Sequence, residues 1–470
     1  MVPHNPLFDF RRCNISGATV AALDAFERAL AAFQSWRSNA EQYLAPALQD
    51  APSFVMAHVL RAYLYLSSRD PARVHSARPL LERASQLPTN ARERRHLAAI
   101  AAVLEDDYEH AKALLGDLIR EEPHDVLALQ VAHALDYITG DLARLGDRVA
   151  SVLPAWSSAL PGYHAVLAMH AFGLEESGDY QRAEEFAKRA LALNRFDARA
   201  HHVLAHVFDM TDRPHAGVQW MHENMEYWAT ETIVAAHCWW HLSLFYLAQG
   251  QIERALSIYD GRLRSSRSLE VADMIDASAL LWRIDLRGGD AGVRWDELAA
   301  AWTPHIADRF CTFNDLHAML AFVGARDWNS ATRLERELAH CRLHPTRHGH
   351  TTRLIGLPAC RALMAFGQGE YTGAIRSLAS LPAIAHRIGG SHAQRNLLHL
   401  TLLKAVEYVR GPVSGLDVVA RLSIYRPSIH PDRPNGERSA MMAKRPVMRG
   451  LDGLALSYMS ASLQTRDLTA

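Results

Sequence analysis

Residues 177–197 read SGDYQRAEEFAKRALALNRFD. A Gly-Asp turn (Gly178, Asp179) precedes a large residue, Tyr180. Ala183 follows three residues later, then Phe186 and Ala190 at helical spacing. In an antiparallel helix pair, a small Ala lets two backbones approach and an aromatic ring fills the space beside it. The same phrase recurs along the chain. Tyr108, Ala111, Leu115 and Pro123 form one copy, and Gly250, Ile252, Ala255 and Tyr259 another. Trp328 with Ala331, and Gly369 with Tyr371 and Ala374, are further copies. Weaker ones fall at Gly140-Asp141-Leu142, Asp212-Arg213-Pro214 and Gly288-Gly289-Asp290. Equivalent positions are then 108, 142, 180, 214, 252, 290, 328 and 371, spaced by 34 or 38 residues until the last step. A phased series with this period is the tetratricopeptide pattern. The expected fold is all-α: a right-handed helical solenoid of antiparallel helix pairs. Each pair buries its apolar face against its neighbours, leaving a concave inner groove or cavity.

Outside the strongest copies the pattern weakens. Residues 101–410 are expected to hold the repeats. Residues 1–100 extend them irregularly, with helices expected over 21–36 and 53–67 and a capped helix start at Asn90-Ala91-Arg92-Glu93. Arg410-Gly411-Pro412 breaks the helical run, and 411–470 reads as a Pro/Arg-rich segment and tail. Among the 470 residues, Lys and Arg number 50 and Asp and Glu 51, a net charge of −1. That balance, with no basic stripe interleaved with aromatics, argues against nucleic acid and anionic membranes as partners. No signal-peptide core and no membrane-length apolar run is present, so the expected location is cytoplasmic. The five cysteines are scattered, with no CxxC pair, which excludes a disulfide framework and a thiolate zinc site. Phosphate-loop, dinucleotide and serine-hydrolase motifs are also missing.

Several segments lie in register with a known family. They are Phe54-Val55-Met56-Ala57-His58, Arg92-Glu93-Arg94-Arg95-His96, Asp125-Val126-Leu127-Ala128-Leu129 and His202-Val203-Leu204-Ala205-His206-Val207. Further on come His237-Cys238-Trp239-Trp240-His241, Phe313-Asn314-Asp315-Leu316-His317 and Gly389-Gly390-Ser391-His392-Ala393-Gln394-Arg395. On these, from about residue 14 to about residue 440, the chain resembles the tetratricopeptide repeat protein 38 family. The resemblance implies the helical-repeat fold and assigns no activity.

Histidine is the unusual residue, at 26 copies. Seven fall between 201 and 241: His201, His202, His206, His215, His222, His237 and His241. His202/His206 and His237/His241 have i, i+4 spacing, which puts both imidazoles of a pair on one helix face. It is also the spacing by which one helix offers two nitrogens to a metal. Both pairs precede a turn, so they belong to the first helices of neighbouring repeats. With the turn residue as position 15, His202, His206 and Asp209 fall at positions 5, 9 and 12. In tetratricopeptide proteins these are groove-facing positions, as is position 2, where His237 falls; His241, at 6, points there less clearly. His222 and Glu223 are expected nearby, and Trp240 to floor a pocket beside them.

Three roles compete for the cluster: buried packing, ligand or peptide binding, and reactive chemistry. No HExxH is present, so the usual carboxylate of a zinc protease is missing. Weaker candidates are Asp315 and His317 on a later first helix, and Arg395 beside the Gly389-Gly390 helix start, which has the makings of an anion site. The basic stretch HPTRHGHTTR (344–353) reads as a solvated loop.

The leading expectation is a recognition scaffold that binds a peptide segment or a small polar ligand. Its site would be His202, His206, Asp209, His222, Glu223, His237, Trp240, His241, Asp315, His317 and Arg395. The alternative is an enzyme of hydrolase or proton-transfer type, with His202, His206, His237 and His241 as acid/base residues or as ligands of a divalent metal. A scaffold calls for a wide, open groove. An enzyme calls for the four histidines to approach one point in a narrow pocket. Solenoid ends need polar caps or a partner subunit, so a homo-oligomer is a further expectation.

Overall fold

The computed structural model describes residues 7–410, and the expected Pro/Arg-rich segment 411–470 lies outside them. Apart from a two-stranded antiparallel hairpin, Leu7–Phe8 with Asn14–Ile15, the regular elements described are helices, and neighbouring helices pack in pairs. The repeat phase places the second helix of nearly every pair. Tyr108, Leu142, Tyr180, Pro214, Ile252, Trp328 and Tyr371 are each a first helical residue. Two positions earlier the backbone is left-handed each time, at Asp106, Gly140, Gly178, Asp212, Gly250, Arg326 and Gly369, with φ between 55° and 84°. That reversal turns the chain back on itself. Asp107, Asp141, Asp179 and Asp327 then cap the new helix by accepting from the backbone N–H three residues on. Position 290 departs from the series. Gly288 is left-handed, but Gly292 adds a second reversal and the helix starts only at Arg294.

The first helices form an inner row. Val126–Thr139, Tyr163–Glu176, Ala198–Met210, Ala235–Ala248, Val271–Leu286 and Thr312–Gly324 are buried around most of their circumference, and successive members touch. Second helices bury a single stripe, such as Ala183, Ala187 and Ala190 of Tyr180–Leu193. A helix covered on all sides is apolar all round, whereas an outer one is amphipathic.

The first and last described helices pack against the inner row. The carbonyl of Phe33 accepts from Gln130 Nε2 at 3.1 Å, and that of Trp36 accepts from the Ile233 N–H at 3.0 Å. The last helix, His392–Arg410, packs on Val271–Leu286 and Tyr371–Leu378. Asn314 Nδ2 donates to the Arg69 carbonyl at 2.9 Å.

The helices expected at 21–36, 53–67 and after Asn90 appear as Val20–Gln34, Val55–Leu66 and Ala91–Leu104. The 100/101 boundary, however, falls inside Ala91–Leu104, whose apolar run is continuous there. The core instead forms two large overlapping clusters, one from Ile15 to Met169 and one from Leu145 to Leu398. Nor is 344–353 a solvated loop. Arg347–Thr351 is helical, the Arg347 N–H donates to Asp106 Oδ2 at 2.9 Å, and its guanidinium donates to the Ile138 carbonyl at 2.7 Å. The segment thus joins distant repeats. Among the described residues, no helix is long and apolar enough to cross a membrane.

Candidate metal centre

The His202 pair lies on Ala198–Met210 and the His237 pair on Ala235–Ala248, two adjacent members of the inner row. Asp197 starts the first of these helices by capping the Ala200 N–H. The i, i+4 spacing then aims both imidazoles of each pair across the helix–helix contact. Ring centroids are 4.4 Å apart for His202/His206, 4.5 Å for His206/His241, 4.8 Å for His237/His241 and 4.9 Å for His202/His237. One nitrogen from each ring lies within 4.8 Å of the others. A tetrahedral ion with metal–nitrogen bonds near 2 Å needs ligand nitrogens ~3.3 Å apart. His202 Nε2 and His206 Nε2 already face each other at 3.0 Å.

Burial sets the charge state. His202, His206 and His241 are fully buried, while the His237 side chain keeps 17% of its exposure. Burial lowers the imidazole pKa at all three buried sites, to about 4 for His206 and well below the usual value for His202 and His241. The neighbouring histidines add to the shift. These three rings are therefore neutral near pH 7, the form that binds metals. His202 Nδ1, His206 Nδ1 and both nitrogens of His241 have no hydrogen-bond partner. An unsatisfied buried polar group costs roughly 1–3 kcal/mol, so four in one place call for an explanation.

The surroundings hold the rings. Asp276, on Val271–Leu286, receives His237 Nδ1 at 2.9 Å to both oxygens, which leaves Nε2 aimed at the cluster. A carboxylate behind a ligating imidazole is the usual orienting device of metal sites. Trp240 stacks on His237 at 5.1 Å and 14°. Trp36, itself left-handed at φ 57°, lies 5.6 Å from His202. Phe172 contacts His202 and His206.

On the other side of His206 stand two buried carboxyls that sequence reasoning missed, Glu175 and Glu176. Glu175 Oε2 is 3.5 Å from His206 Nδ1, and neither Glu175 oxygen has a hydrogen-bond partner. Burial, then the charge of Glu176, pushes the Glu175 carboxyl well above the usual range. Burial also opposes ionisation of Glu176, but the charges of His392 and Arg395 outweigh it and bring its pKa to about 2.

Other expected site residues separate from this point. Asp209 is half-buried one turn beyond His206, and burial raises its pKa. Trp240 packs against His237 and His241. His222 and Glu223 are not nearby. Met221 and Gly217 supply the buried stripe of their helix, so the next two residues turn outward. His222 meets the Tyr246 hydroxyl at 2.8 Å, and Glu223 accepts from Gln219. Asp315 accepts from His348 Nε2 at 2.8 Å, and His317 Nδ1 donates to the Phe313 carbonyl at 2.7 Å. Asp315 thus ties its helix to Arg347–Thr351, and His317 folds back on its own helix. At Arg395 the anion is internal: Glu176 Oε2 accepts from its guanidinium and Glu176 Oε1 from the His392 N–H, both at 3.0 Å. The helix start expected to hold a ligand instead holds the chain's own carboxylate.

No protein-family model matches the chain.

Proposed function

We propose that this protein is a metalloprotein built on a tetratricopeptide-like solenoid, with a divalent first-row transition ion held by His202, His206, His237 and His241. One observation carries the proposal: four imidazoles converge within 4.8 Å, and three of them are buried with at least one ring nitrogen that has no protein partner. Imidazole-rich sites suit zinc, copper, iron and nickel. The helix starts that follow the repeat phase support the solenoid. The proposed kinship with the tetratricopeptide repeat protein 38 family is supported by the segments 202–207 and 237–241, which also supply the ligands.

Narrow convergence favours hydrolase or proton-transfer chemistry over recognition of an extended peptide. A peptide needs an open surface, and three of these rings are sealed. A small polar substrate would enter beside His237, the one exposed member. Three imidazoles suffice to hold the ion and leave a position for water or substrate, where the ion acts as a Lewis acid. Asp276 keeps His237 oriented, and Trp36, Phe172 and Trp240 exclude bulk water.

Elemental analysis of the purified chain tests this. Stoichiometric zinc, iron, copper or nickel in wild type, lost in the His206→Ala/His241→Ala double variant, is expected. A folded wild-type chain that takes up none of these ions on titration would refute the metal centre.

A further inference from the structure

His206 faces two groups at once. Its Nε2 points to His202 Nε2 at 3.0 Å, inside the four-histidine cluster. Its Nδ1 points the other way, to Glu175 Oε2 at 3.5 Å. Glu175, Glu176 and His206 form a second constellation whose ligand atoms all lie within 4.8 Å of one another, with all three residues buried. We infer that the centre is dinuclear: a second divalent cation sits between Glu175, Glu176 and His206 Nδ1, and the His206 ring bridges the two ions.

The inference rests on the assignment of the four histidines to a first ion. What carries it further is Glu175. Both of its oxygens are buried and have no hydrogen-bond donor. The contact with His206 does not substitute for one, because His206 Nδ1 also lacks a hydrogen-bond partner. A carboxylate and an imidazole nitrogen brought together without a hydrogen bond are disposed as two ligands around a common point. Structural ion pairing explains Glu176, whose oxygens receive the Arg395 guanidinium and the His392 N–H. It does not explain Glu175, which has neither. Asp209, half-buried one turn beyond His206, adds negative charge on the same side.

The chemistry balances. A ring that ligates through both nitrogens carries no N–H, so loading the second ion releases the His206 proton to solvent, together with the proton of Glu175 wherever that carboxyl is protonated. The bridging imidazolate, Glu175 and Glu176 together offset most of the charge of two dications. The ions would lie about 6 Å apart, two metal–nitrogen bonds plus the width of the ring.

Titration of the full, metal-free chain with zinc chloride, and in parallel with copper(II) chloride, tests the inference. Bound metal is counted after desalting, and the copper form is examined by electron paramagnetic resonance. Wild type is expected to hold two ions per chain, with the copper pair exchange-coupled. Glu175→Gln, which keeps the shape of the side chain, is expected to hold one, with an uncoupled copper signal. One ion per chain in wild type overturns the second site and leaves the four-histidine centre standing. No bound ion in wild type overturns both. Two ions in both proteins would put the second ion elsewhere and also overturn the inference. Should Glu175→Gln fail to fold, the stoichiometry and coupling in wild type decide alone.

Discussion

His96, His164, His237 and His348 each meet an aspartate of a neighbouring inner-row or seam helix: Asp125, Asp197, Asp276 and Asp315. His58, His133, His201 and His317 pair with backbone carbonyls. These explain much of the high histidine content by packing, and His241, neither of whose nitrogens has a partner, stands out against them. Burial also has a pH signature. His133 and His317 are pushed to about 3, and His170 and His206 to about 4, chiefly by desolvation. In the unfolded chain these rings take up protons below about 6.5. The unfolded state then binds more protons, so stability is full above pH 6.5 and falls as the pH drops towards 4. Each ring contributes about 1.4 kcal/mol per pH unit to the decline. Urea unfolding of metal-free protein at pH 7, 6 and 5 is expected to show this slope, shallower by one proton in His317→Gln. His348 runs the other way. Burial opposes its charge, but the hydrogen bond to Asp315 prevails and raises it to about 10, so its contribution is present below pH 6.5 and fades as the pH rises through 10. The i, i+4 pairs were legible in the sequence because spacing alone puts two rings on one face. Glu175 was not, since an acid just before Ser177-Gly178-Asp179 reads as a solvated helix end. Only its equivalence to Asp209, five residues before the next helix start, marked it.

The turn between first and second helices is the most regular device in the chain. Five of its eight left-handed positions are glycine, and Asp106, Asp212 and Arg326 are not. Nothing lies within 4 Å of a Cβ built on Gly250, so Gly250→Ala tests the backbone alone. A side chain in that conformation costs about 1–2 kcal/mol, and a loss of that size is expected in chemical denaturation. Arg326→Gly removes the same strain, but glycine's freedom in the unfolded chain returns part of the gain. A net stabilisation below about 1 kcal/mol should follow. The phase was readable because every repeat needs the reversal at the same place. At 290 it misled, since Gly289 and Gly292 extend the turn and delay the helix to Arg294. The short Arg347–Thr351 helix escaped notice for another reason. Its partners, Asp106, Ile138 and Asp315, are distant in sequence, and no local pattern marks such a contact.

At the scale of the described residues, the two halves of the chain meet. In an open repeat array stability is a sum over neighbours and the ends fray first. Here Arg347 ties the second half to Asp106 and Ile138, and Arg395 ties the last helix to Glu176. Arg395→Ala leaves the Glu176 carboxylate buried beside Glu175 without its guanidinium, and a loss of about 3–5 kcal/mol is expected in thermal or urea unfolding. Amide exchange offers a second check. In Arg347→Ala, protection should fall together in Ala91–Leu104, Val126–Thr139 and the seam after 385, rather than only near the substitution. The tie between Glu176 and Arg395 also sets an order of events during synthesis. Their partnership spans 219 residues, roughly 10–40 s of ribosome time. Until the last helix emerges, Glu176 lacks its counter-charge and the wall around the histidines is incomplete. In the proposed centre, ions are therefore expected to settle only once His392–Arg410 has emerged and brought Arg395 to Glu176.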